Sequence, residues 1–126
     1  MINSRLISVY LATQGVLVGF WWLMLIISPS SRAQFMVPGA HDLTILTFWL
    51  ANLTLVGAGS LLAAYRLWRR ARGRRAVLWF VSGAMSYAAL TCLGLTLITG
   101  QAWLATLLMV PAASLTFGAA WIDGRI

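Results

Sequence analysis

Residues 6–27, 43–65, 76–98 and 102–122 are four stretches that hold no charged side chain. Each supplies the roughly 20 predominantly apolar residues that a helix needs to cross a hydrocarbon core about 30 Å thick. With 61% of its 126 residues hydrophobic and 9% charged, a water-soluble domain of this size could not cover its surface with polar groups. Lipid is therefore the expected solvent for most of it. The links are short, and Thr99, Gly100 and Gln101 leave room only for a tight hairpin between the last two spans. The expected fold is an all-α integral membrane protein, a single domain over residues 1–126 built as an antiparallel bundle of four transmembrane helices. A signal peptide cleaved after Ala33 fits less well, because the first apolar run is longer than a usual signal core.

Charge orients the bundle. All nine cationic side chains are arginines, and Arg66, Arg69, Arg70, Arg72, Arg74 and Arg75 fall in the link between the second and third spans. Arginine-rich links stay on the cytoplasmic side, so parity predicts an N-in/C-in topology with the Ser28 to Asp42 loop and the short hairpin outside. Arg32 alone violates the bias. Tyr65, Trp68, Trp79, Trp103 and Trp121 lie at span ends, where their rings suit the headgroup region. The expected location is a bacterial inner (cytoplasmic) membrane. The six link arginines are candidate anionic-lipid contacts, each worth about 1 kcal/mol near a charged surface. Nucleic acid is not an expected partner, since no soluble fold presents a base-reading surface.

Two amides stand out in the apolar runs. Asn52 lies near the middle of the second span and needs a partner to offset its desolvation. At 100° per residue it shares a stripe with Ile45, Phe48, Val56, Gly59 and Ala63, and that stripe is expected to face protein. Gln14 occupies the first span beside Tyr10 and Trp21, with Gly15 and Gly19 in GxxxG spacing, and an amide pair between Gln14 and Asn52 would need favourable tilt. Interhelical packing is the plain reading of these residues, and contact with an apolar ligand is the sharper one. Small residues recur through the third and fourth spans and read as packing positions. Pro111 should bend the fourth span by removing the donor for the Leu107 carbonyl, and such a bend could shape a cavity.

The outer loop offers Arg32, Phe35, Met36 and His41 as candidate contacts. Phe35, Met36 and Val37 would anchor a partner, with Arg32 at the rim, or rest among headgroups. Asp42 is placed to cap the second span. His41 is the one histidine and has no Cys, Glu or second His to help it, so a surface role outweighs metal or haem ligation. Cys92, the one cysteine, can form no intrachain disulfide. The sequence specifies no cofactor.

In size the chain resembles small multidrug transporters and small fluoride channels. The resemblance stops there. Exporters of that kind work through a membrane-embedded glutamate, and no glutamate occurs in this chain. No polar, phenylalanine-rich pore motif is present, and the charge bias opposes dual topology. Catalysis needs converging nucleophiles, acid–base groups or cofactor ligands, and the candidates here are scattered. The leading expectation is a small non-catalytic accessory or structural subunit that packs with other membrane proteins or with itself. A binding module or carrier for an apolar molecule such as a lipid, quinone or pigment is the alternative, ahead of an enzyme or ion channel.

Overall fold

The computed structural model describes residues 4–35, 39, 41 and 43–125. Four of its helices are long and apolar enough to cross a membrane, and the described residues contain no strand. They are α1 (Ser4–Ile27), α3 (Thr44–Trp68), α4 (Arg74–Thr99) and α5 (Trp103–Arg125); a short α2 (Pro29–Ala33) lies between the first two.

The helices outrun the apolar stretches at the end that carries the arginines. Arg66, Trp68, Arg74 and Arg75 are all helical. Arginine is a good helix former, and its long stem lets the charge reach water or headgroups while the backbone stays wound. Helix α2 was not expected. It forms because Ser28 caps it, accepting the Ser31 N–H at 3.3 Å, and Pro29 sits at its first position, where a missing N–H does no harm. Gly73 (φ 77°) opens α4 and Gly100 (φ 69°) closes it, both in the left-handed region that glycine enters freely. Ala102 also has positive φ, at 62°, so α5 begins one residue later than its apolar run.

Helix α3 departs most from expectation. It starts as a 3-10 turn (Thr44–Phe48), passes through a short α segment (Trp49–Ala51), widens to a π-helix (Asn52–Ala58) and finishes as regular α-helix (Gly59–Trp68). A π-turn takes in more residues than an α-turn, so a stripe drawn at 100° per residue loses phase across it. Val56 and Ala63 are buried as expected, but Phe48 is 53% exposed. The buried face instead continues through Gly57, Ser60, Ala64 and Leu67. Side chains answer carbonyls where the backbone ladder changes period: Asn52 Nδ2 donates to Phe48 O at 3.3 Å, and the Thr54 hydroxyl donates to Leu50 O.

The most extensive helix contacts are between α4 and α5 and between α1 and the second half of α3. At the arginine end, Ile7, Leu11, Ala63, Leu67, Leu78, Val81 and Ala120 form a core drawn from all four long helices. Val56, Met85, Ala89 and Ala113 continue it inward, and Trp22, Leu25 and Phe35 close the other end. Among the described glycines, Gly15 lies closest to the backbone of another helix: a β-carbon there would stand 2.9 Å from the Gly57 carbonyl oxygen of α3. Gly19, its GxxxG companion, has nothing within 4 Å of such an atom.

Candidate functional site

Gln14 is the polar centre of the molecule. It is 7% exposed and joins three helices. Its Nε2 donates to Ser60 Oγ on α3 at 2.9 Å, and its Oε1 accepts from Thr116 Oγ1 on α5 at 3.0 Å and from Tyr10 Oη at 2.6 Å. The carbonyl of Ala112 is a second acceptor, 2.8 Å from Thr116 Oγ1 and 3.1 Å from Tyr10 Oη. Two hydroxyl protons thus choose between two acceptors, and either can serve either. Nearby, Ser8 Oγ donates to Ala64 O at 2.6 Å, fastening α1 to α3 a second time. Few backbone positions of α1 and α5 lie close together, so long side chains make this connection.

Asn52 does not join that cluster. The pair with Gln14 that favourable tilt would allow is not formed; Asn52 bonds instead to Phe48 O within α3, where the helix widens to a π-segment and its first half leaves the buried face. Gly59 and Ala63 pack inside the chain. A β-carbon on Gly59 would meet Val81 Cγ2 of α4 at 3.1 Å, and Ala63 is fully buried in the core. Pro111 is exposed on α5, and the helix runs through it without a break.

At the arginine end, the described arginines divide by partner. Asp123 is buried on α5, with its Oδ2 3.4 Å from Arg74 Nε and 3.9 Å from Arg75 Nε. No hydrogen bond of good geometry reaches that oxygen, so the association is one of charge. Arg66 Nη1 donates to the carbonyl of Arg72 at 3.0 Å and pins the turn. Arg69, Arg70 and Arg72 are exposed. Arg5 stacks on Trp68, 5.7 Å from the ring centroid.

The outer loop is built inward rather than outward. Arg32 is 6% exposed, and its Nη1 donates to the carbonyls of Leu25 and Ile26 at 2.8 and 3.1 Å. A cation on the last carbonyls of α1 complements the helix dipole, and this accounts for an arginine buried at this end of the chain's first long helix. Phe35 is 7% exposed and lies 4.6 Å, centroid to centroid, from Trp21. Both expectations of a free contact surface, Arg32 as rim and Phe35 as anchor, are corrected: the two residues close their own chain. Met36 and Asp42 lie outside the described residues. His41 is exposed, and its Nδ1 accepts the Leu43 N–H at 3.2 Å.

An open groove of about 440 Å³ runs between α3 and α4, lined by Thr54, Ala58, Gly59, Leu62, Ala76, Val77 and Phe80. Of the residues expected to line a cavity, it includes Gly59 but neither Asn52 nor Pro111. Among the described residues no three His, Cys, Asp or Glu side chains gather. Ser60, Thr116 and Asp123 were not anticipated as partners. Their only sequence signal is a small polar or acidic residue inside or at the edge of an apolar run. No known protein family, curated protein or solved structure matches the chain.

Proposed function

We propose that this is a non-catalytic multi-pass membrane protein, an accessory or structural subunit whose four helices pack against another membrane protein or a second copy. In this reading the helices form an antiparallel bundle with both ends in the cytoplasm of a bacterial inner membrane. The supporting observation is the outer half of α3. No residue from Thr44 to Leu55 is buried, whereas burial begins at Val56. Along it Thr44, Thr47 and Thr54 are exposed and Asn52 is half-buried. The amide nitrogen of Asn52 is used within α3, while its oxygen has no partner among the described residues. An acceptor left facing hydrocarbon is costly, and a neighbouring helix with a donor removes that cost.

Native mass spectrometry from mild detergent tests the reading. A defined homo-oligomer or a co-purifying membrane protein is expected, and Asn52→Leu should reduce its retention. A monodisperse monomer with no partner in mild conditions would overturn it. The groove between α3 and α4 supports a second reading, a binding module for an apolar molecule. Stoichiometric retention of one such molecule by a monomer would promote that reading above the first.

A further inference from the structure

We infer that the groove between α3 and α4 holds an acyl chain of an anionic glycerophospholipid whose phosphate is gripped by Arg66, Arg69 and Arg72. The inference deepens the expected contact with anionic lipid, and it rests on the membrane placement proposed above but not on the accessory role.

The groove and the arginines are continuous. Thr54, Ala58, Gly59 and Leu62 form the α3 wall of the groove, which runs toward the end of that helix carrying Arg66. Arg66 follows Leu62 by one helical turn, and Arg69 is the residue that caps the end of the helix. On the opposite wall, Ala76 is in the first turn of α4, and Arg72 precedes that helix by two residues. The bond from Arg66 Nη1 to the Arg72 carbonyl therefore fixes a guanidinium across the turn at the end of the groove.

The lining is apolar apart from Thr54, whose hydroxyl is bonded to Leu50 O. Its floor, at Ala58 and Gly59, is almost without side chains. A helix about 10 Å across would ride over such a channel, whereas a single hydrocarbon chain lies in it. Charge selects the headgroup. Asp123 is the one carboxylate among the described side chains, and it takes Arg74 and Arg75. Arg66, Arg69 and Arg72 are left without a described acidic partner, and a phosphate at the groove end supplies one.

The test is native mass spectrometry of the full chain in mild detergent with equal amounts of phosphatidylglycerol and phosphatidylcholine of identical chains. Wild type should retain phosphatidylglycerol in roughly tenfold preference, and the pair Arg69→Gln with Arg72→Gln should lower that adduct about tenfold. Ala58→Trp, which fills the groove and leaves every arginine in place, should lower it as much. Leu62→Trp serves the same purpose should the first variant misfold, as judged by helicity and elution volume. Equal retention of the two lipids overturns the proposal. So does loss confined to the arginine variant, which reduces the site to surface attraction, or loss confined to the groove variants, which removes the headgroup contact. The oligomer masses in the same spectra report separately on the accessory-subunit reading.

Discussion

Gly15 and Gly57 are the contact on which α1 and α3 close: a β-carbon at Gly15 would stand 2.9 Å from the Gly57 carbonyl oxygen, and 2.7 Å from Leu61 Cγ. The leucine can swing aside, but the backbone oxygen cannot. Gly15→Ala is therefore expected to destabilise the chain by about 1–3 kcal/mol through overpacking. Gly19→Ala, with open space around it, should be neutral or slightly stabilising because alanine is the better helix former. Unfolding of both variants in detergent by denaturant titration separates the two outcomes, and equal stability would mean that the helices do not cross at Gly15.

Gln14→Leu should cost about 1–2 kcal/mol, and Asn52→Leu should change the stability of the isolated chain by less than about 0.5 kcal/mol. Gln14 holds Ser60 and Thr116 on two other helices, whereas Asn52 holds only its own. The loss at Gln14 is limited because Tyr10 and Thr116 keep the Ala112 carbonyl as an acceptor. The same unfolding titration measures both. A larger effect at Asn52 than at Gln14 would place the interhelical amide in the wrong span.

Removing the buried carboxylate by Asp123→Asn is expected to lower stability by about 1–3 kcal/mol. The effect falls short of that for a fully buried pair because the Arg74 side chain is 23% exposed and can turn to water or headgroups. Asp123→Asn combined with Arg74→Gln should cost less than the sum of the single changes. Strict additivity in that double-mutant cycle would show that the two charges do not interact.

Phe35→Ala should cost about 3 kcal/mol, as for a core aromatic, since Phe35 is packed with Trp21, Trp22 and Leu25. Phe20→Ala is the control, because Phe20 is 65% exposed on α1 and should change stability by less than about 0.5 kcal/mol. Thermal unfolding in one detergent compares them. Indistinguishable midpoints would return Phe35 to the surface.

For the orientation, a Cys92→Ser background allows single reporter cysteines at two exposed positions, Ser30→Cys in the outer loop and Arg72→Cys in the basic link. An impermeant maleimide applied to whole cells should label the first and not the second. The reverse pattern would invert the bundle.

Which residues form helices long and apolar enough to cross a membrane was readable from the sequence alone, because an uninterrupted apolar run and helix length are both local properties. Gln14 and Asn52 were both marked by the sequence as amides in apolar runs, but only Gln14 bonds to other helices. Its partners were not readable. Ser60 and Thr116 lie 46 and 102 residues away in the chain, and the small polar residues of three spans offered many equivalent pairings. Register between helices decided among them, and in α3 that register was reset by the π-segment, which turned Asn52 away from the Gln14 cluster and brought Gly57 onto Gly15. The outer loop shows the same division. Sequence marked Arg32 as a break in the charge bias and Phe35 as part of an apolar trio, but only the folding of α2 back over the end of α1 decided that the arginine caps carbonyls and the phenylalanine fills a core.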